Sequence, residues 1–265
     1  MSKIHKALKK AEKEKSEGES ITPRTSSETS EPIAANLHLV TLFNPKSIAA
    51  EQFRKLKATI LKDFDRNSGT CILISSAVAG EGKTLTATNL AISIAQEIQQ
   101  HVLLIDADLR RPSIHKVLSI GDTQGLSEYL SGNVELSQLI VKTSVPKLSV
   151  LTAGTIATKP AELCSSNKMK DLIREVRQRY DDRYIIIDST PVISTSEPDI
   201  LARQVDGILF VVRAGKTPRE AIQRSLMCFE KEKIIGMVFN EIDTRATGYH
   251  YGYYRYYNYY GEDTK

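Results

Sequence analysis

The sequence predicts an α/β protein whose mostly parallel central sheet carries helices on both faces. Three observations point there. Apolar runs at 71–74, 102–105, 185–187 and 207–212 lack the polar alternation of a half-exposed strand. Stretches with apolar residues at helical spacing separate them, so strands and helices alternate. Loop glycines or acids follow three of the runs, at Gly80, Asp106 and Asp188. Open parallel sheets gather ligands at the carboxyl ends of their strands.

Length and charge bound the reading. The chain has 265 residues, 41% of them hydrophobic, enough for one large α/β domain with appendages. Net charge is +4, with 36 basic and 32 acidic residues interspersed, which is too weak a bias to argue for a nucleic-acid partner. No apolar run approaches the ~18 residues of a membrane span. The first twenty residues hold no apolar signal core. A soluble, cytoplasmic protein is expected. Cys71, Cys164 and Cys228 are far apart and odd in number, with no paired spacing, so reduced thiols and no zinc site are expected.

Taken in order, the chain divides into a helical arm at 1–17, a disordered linker at 18–38, one large α/β domain at 39–245 and a flexible tail at 246–265. In the arm, Ile4, Ala7, Leu8 and Ala11 share one face among many lysines. Either a partly ordered arm or a helix that docks on a partner or an anionic surface fits this pattern. The linker is rich in Ser, Thr, Glu and Pro. After Asn44-Pro45, the stripe Ala49, Phe53, Leu56, Ile60 and Phe64 predicts a helix facing the core. Its outer face carries Glu51, Arg54, Lys55 and Lys57. A strand is expected at 70–75 and a helix at 85–98. The next strand starts at His101 and ends in Asp106 and Asp108. Pro112 suits the first turn of a helix. Two short helices fill 121–140, with a turn at 131–133. A strand at 147–152 and one helical region from Pro160 to about Tyr180 follow. Strands at 183–188, 207–213 and 234–240 enclose helices at 197–204 and 218–230.

Ala77-Val78-Ala79-Gly80-Glu81-Gly82-Lys83-Thr84 stands between a strand and a helix, the context of a phosphate-binding loop. Backbone N–H groups of Ala79, Gly80, Glu81, Gly82, Lys83, Thr84 and Leu85 would converge on one anion, aided by the helix dipole. Gly80 and Gly82 let the backbone curl. Lys83 can reach β- and γ-phosphate oxygens, and Thr84 can ligate Mg²⁺. Asp188, after three isoleucines, has the Walker B form and suits Mg²⁺ or its water. Were the strand to continue through Asp108, Asp106 and Asp108 would share a face. One could then act as base and the other bind metal, or both could serve the metal. Arg110 and Arg111 suit phosphoryl charge, an acidic partner or plain capping equally.

Eight of the eleven tyrosines lie at the C-terminus, at Tyr249, Tyr251, Tyr253, Tyr254, Tyr256, Tyr257, Tyr259 and Tyr260. The segment has no period that builds a packed element. Its phenols are candidate acceptors if a carboxylate takes their proton. An aromatic adhesive and a base-stacking tail are the alternatives. The latter would lack cations, because Arg255 stands alone.

From 46 to 265 the residues resemble the bacterial tyrosine kinases of capsule and exopolysaccharide loci. Ala77–Thr84 is similar to their Walker A, Ile105–Arg110 to their Walker A′ and Ile185–Pro191 to their Walker B. The tyrosine tail resembles their autophosphorylation region. Their Glu-x-x-Arg-x-x-Arg subunit-contact motif matches Glu51, Arg54 and Lys57, with Lys in place of the second Arg. Thr190 stands where the family has the first of two prolines. The resemblance implies a P-loop NTPase fold, ATP and Mg²⁺ as cofactors, and phosphorylation of tail tyrosines between subunits of a homo-oligomer, including a ring. It implies Lys83, Asp106 and Asp108 as catalytic, with Asp106 the base. Thr84, Asp108 and Asp188 are implied for the metal, and Asn240 for adenine. It implies a separate transmembrane polysaccharide co-polymerase as activator, which would hold the kinase at the inner membrane, and a protein-tyrosine phosphatase as opponent. A partition or septum-positioning ATPase would carry a signature lysine where Val78 stands, and would lack the tail. A nucleotide-dependent assembly switch with little transferase activity is the remaining alternative.

Overall fold

The computed structural model describes residues 38–64, 69–121, 123–132, 134–178 and 183–242. The arm, nearly all of the linker and every tail tyrosine lie outside them.

Seven strands form one sheet: β1 (Thr70–Ser76), β2 (His101–Asp106), β3 (Ile140–Lys142), β4 (Leu148–Leu151), β5 (Arg183–Pro191), β6 (Gly207–Arg213) and β7 (Ile234–Asn240). Their order is β3-β4-β2-β5-β1-β6-β7. All neighbours are parallel except the edge pair β3 and β4. Each apolar run read as a strand is one. β3 was not foreseen, because three residues leave no period to read. β5 runs past Asp188 to Pro191, where Ser76 pairs with Pro191 after a register shift. Ser189 can lie buried there because its hydroxyl donates to Ile74 O at 2.8 Å.

Alternation along the strands splits the core into two layers. Cys71 and Leu73 join Leu103, Ile105, Ile185, Ile187 and Phe210 on one face. Ile72 and Ile74 join Leu104, Ile186 and Val211 on the other.

The second layer is covered by α1 (Val40–Phe43), α2 (Ile48–Asp63) and α3 (Lys83–Ala95). Ser47 caps α2 by accepting Ala50 N at 3.1 Å. Phe53, Leu56, Ile60 and Phe64 pack as expected, but Ala50 rather than Ala49 is the buried alanine. Among the rest are α4 (Ile114–Val117), α5 (Leu126–Ser131), α6 (Leu136–Leu139), α7 (Pro160–Ser165), α8 (Asn167–Gln178), α9 (Glu197–Ala202) and α10 (Arg219–Leu226). The single helix expected from Pro160 is two. Ser166 turns extended, with ψ 154°, and its hydroxyl accepts Met169 N at 3.2 Å to start α8.

α1 is anchored by one buried amide. Asn89 Oδ1 accepts Thr41 N at 3.1 Å and Thr41 Oγ1 at 2.9 Å. Asn89 Nδ2 donates to His38 O and Leu85 O, both at 2.9 Å. Replacing Asn89 by Leu strands the buried Thr41 donors. We expect a loss of about 2–3 kcal/mol in a denaturant titration, with cleavage near residue 38 accelerating in limited proteolysis.

Candidate active site

The loop after β1 owes its shape to two glycines. Gly80 and Gly82 have φ of 79° and 90°, in the region that side chains disfavour. Gly82 also has no room: a Cβ there would lie 2.1 Å from Asn240 Nδ2. The first intrahelical bond of α3 runs from Thr86 N to Gly82 O at 2.9 Å. The N–H groups of Lys83, Thr84 and Leu85 therefore precede it and stay free for an anion. Ala79 and Gly80 are exposed, and Ala77, in place of the usual first Gly, is fully buried.

Glu81 does something its place in the motif did not reveal. Its side chain is 1% exposed and bridges the loop to the end of β6 and the turn beyond it. Oε2 accepts Val78 N at 2.9 Å, while Oε1 takes the Thr217 hydroxyl and Arg213 N. Asn240 closes the same loop by donating Nδ2 to Glu81 O at 3.0 Å. Its amide oxygen has no partner among the described residues.

Lys83, Thr84, Asp106 and Asp188 come together at the carboxyl ends of β1, β2 and β5. Lys83 is buried, and its ammonium has no hydrogen-bond partner among the described residues. Thr84 Oγ1 donates to Asp188 Oδ2 at 2.6 Å, and Ser113 Oγ donates to Thr84 Oγ1 at 3.1 Å. Asp188 Oδ1 is buried with no hydrogen-bond partner among the described residues. Asp106 and Asp188 are register neighbours, so their Cα atoms are about 4.8 Å apart. Asp106 Oδ2 accepts Ser113 N at 3.1 Å and Ile114 N at 3.0 Å, and Oδ1 accepts Asp108 N at 3.2 Å. It thus also caps α4, a structural duty the sequence did not signal.

Burial pushes the Asp106 carboxyl up to about 7 against these N–H groups, with Asp108 adding repulsion. Burial first, and Asp106 second, push Asp188 well above the carboxylate range, against the pull of Thr84 and Lys83. The donor set fits a divalent cation: a bare buried carboxylate oxygen, a hydroxyl beside it and a second acid next door. Thr84 and Asp188 are placed where they could hold one, and Asp108 lies near enough for its charge to act on both buried acids.

Asp108 corrects the expectation of a shared strand face. β2 stops at Asp106, and Asp108 lies in the turn beyond it. There its Oδ1 accepts Arg110 N at 3.2 Å and Arg111 N at 2.9 Å. Both arginines are exposed, yet Arg110 Nε donates to fully buried Glu197 at 2.8 Å. Nothing in the motif pattern pointed to Glu197.

On α2, Arg54 Nε donates to Glu51 at 2.6 Å and Arg54 Nη1 to Pro45 O at 2.8 Å. Lys57 instead pairs with Glu97 just past α3 and is only 14% exposed. The tail tyrosines fall outside the described residues.

The two buried acids tie stability to pH. Above the ordinary carboxyl value of 3.8 the folded chain keeps protons on these acids to higher pH than the unfolded chain does. The penalty is absent below the ordinary carboxyl value of 3.8, grows as pH rises, and is complete for Asp106 above about 7. We therefore expect Asp188→Asn to raise the melting temperature of the nucleotide-free chain at pH 7.5. The gain should shrink toward pH 4 in a thermal-shift series, and Mg²⁺-dependent nucleotide binding should be lost.

Comparison with known proteins gives the site its context. Residues 69–230 match the family model described as AAA domain. Tyrosine-protein kinase YwqD of Bacillus subtilis is 36% identical over 220 residues, covering 82% of this chain and 91% of YwqD. Tyrosine-protein kinase Etk of Escherichia coli K12 is 32% identical over 219 residues, 82% of this chain but only 30% of the longer Etk. The solved kinase domain of E. coli ETK superposes with a TM-score of 0.74 at 29% identity, over 84% of this chain and 85% of that domain. The chimerical protein CapA2B2 gives 0.72 at 27% identity, over 78% and 90%. No helix among the described residues is long and apolar enough to cross a membrane. Identity of 36% across 82% of the chain, on a matching nucleotide-binding P-loop fold, makes this protein a member of the bacterial tyrosine-protein kinase family.

Proposed function

We propose that this kinase moves the γ-phosphoryl group of ATP, with Mg²⁺, to tyrosines between Tyr249 and Tyr260 on a neighbouring copy, and so regulates exopolysaccharide polymerisation and export. The convergence of Lys83, Thr84, Asp106 and Asp188 at one end of the sheet carries the reading. Lys83 and the N–H groups from Ala79 to Leu85 hold the phosphates. Thr84, Asp108 and Asp188 hold the cation, which when bound neutralises phosphate charge and relieves the repulsion between the acids. Asn240 offers its free amide oxygen to adenine. Asp106, raised to about 7, is matched to taking the phenol proton near neutral pH.

The acceptor reading draws on where the described residues end. β7 ends at Asn240, beside the phosphate loop. From residue 242 to Tyr249 the chain spans at most ~25 Å, at ~3.3–3.6 Å per residue. That reach suits a neighbouring subunit at least as well as the chain's own site. Glu51 and Arg54 form the contact between copies, in a homo-oligomer that includes a ring, and Lys57 contributes once it leaves Glu97. The activator is the cytoplasmic part of a separate membrane polysaccharide co-polymerase, which brings the kinase to the membrane. A protein-tyrosine phosphatase resets the tail.

Incubation with ATP, Mg²⁺ and an activator fragment, followed by mapping of phosphotyrosine, tests this. Label is expected on Tyr249–Tyr260 and should fall at least ~100-fold in Lys83→Met. An unlabelled tail removes the acceptor assignment. Mixing Lys83→Met with an active chain cut after residue 245 should label the inactive chain. Absence of label there argues for transfer within one chain.

A further inference from the structure

We propose that Glu197 is a positioning residue of this kinase: through Arg110 it fixes the turn that presents Asp108 to the cation site. The proposal rests on the metal role given to Asp108 above.

Glu197 opens α9 and is fully buried. Oε1 accepts Arg110 Nε at 2.8 Å, and Oε2 is buried with no hydrogen-bond partner among the described residues. Its one partner is 47% exposed. As a device for stability this is poor. A buried carboxylate with one bare oxygen carries a desolvation penalty that an apolar side chain would avoid. The α9 N-terminus eases the charge but does not call for an arginine.

The turn between β2 and α4 explains the pair. Ala107 N donates to Asp188 O at 2.8 Å, and Leu109 O accepts Ala157 N at 3.0 Å. Those backbone bonds pin the first half of the turn. The second half has a side-chain anchor, Arg110 on Glu197. Arg110 is also a residue whose backbone N–H holds Asp108 Oδ1. The links therefore run from Glu197 to the Arg110 guanidinium, from there to the Arg110 N–H, and on to the Asp108 carboxylate. Fixing a ligand's orientation from a second residue is a recurring way to set metal affinity.

The test uses the full chain, a fluorescent ATP analogue and a Mg²⁺ titration, with melting temperature recorded in parallel. Glu197→Gln keeps the shape and an acceptor for Arg110 but removes the charge. We expect unchanged analogue affinity without Mg²⁺, and a rise of about 10-fold in the Mg²⁺ needed for half-maximal enhancement. Tail phosphorylation should fall by a similar factor. Arg110→Ala, on the exposed partner, should do the same, and the double variant should be no worse than either single. A normal Mg²⁺ requirement in both single variants overturns the proposal, as do effects that multiply in the double. A lowered melting temperature with an unchanged Mg²⁺ requirement overturns it too, leaving a structural role only. If Mg²⁺ dependence shifts as expected while even the native chain labels no tyrosine, the acceptor assignment fails and this one stands.

Discussion

Two carboxylates, Asp106 and Asp188, sit side by side at the ends of adjacent buried strands, and much of the site is arranged around that repulsion. Neither has water to spread its charge. The fold answers with donors: three backbone N–H groups on Asp106 and one hydroxyl on Asp188. One oxygen of Asp188 receives none. The pair is therefore tolerated rather than satisfied without a cation. A cation held there, as proposed, would supply what the protein withholds. Under the proposed reading, binding and electrostatic relief would then be one event.

The same economy shapes the phosphate loop. Its N–H groups must stay unpaired to meet phosphate, so its rigidity has to come from elsewhere. Glu81 and Asn240 provide it from outside the ligand face, using the side chain of one and the amide of the other. Both fix the loop to the β6–β7 side of the sheet. Gly82 is then required twice, by its φ and by the Asn240 amide that occupies the space of a Cβ. A residue read from sequence as an adenine contact thus also braces the loop. The proposed contact and the brace are compatible because they would use opposite ends of one amide.

The sequence made the frame readable because buried parallel strands leave unbroken apolar runs, and a glycine-lysine-threonine turn between strand and helix has few other uses. Asp188 and Lys83 were legible for that reason. What escaped was whatever depends on which side chains meet. Glu81 sits in the motif, but its carboxylate points to Thr217 and Arg213, far along the chain. Glu197 lies 87 residues from Arg110, and no spacing rule links them. The strand ending at Asp106 could not be told from one ending at Asp108, because both acids follow the same apolar run. β3 and the break at Ser166 escaped because elements of a few residues carry no period.

The helix α2 shows how a surface motif can be partly internal. Glu51, Arg54 and Lys57 lie along it, yet they divide their contacts. Arg54 grips Glu51 and Pro45 O, which holds the first turn of α2 to its own lead-in. Lys57 reaches Glu97, and Lys147 reaches the Glu97 backbone carbonyl from the loop before β4. Glu97 follows α3, the helix whose other end is the phosphate loop. A neighbour that drew Lys57 away would therefore loosen a tie on that helix, while one that used only Arg54 would not. The lysine at the third position makes that tie with a single ammonium, where an arginine would bring a two-pronged fork.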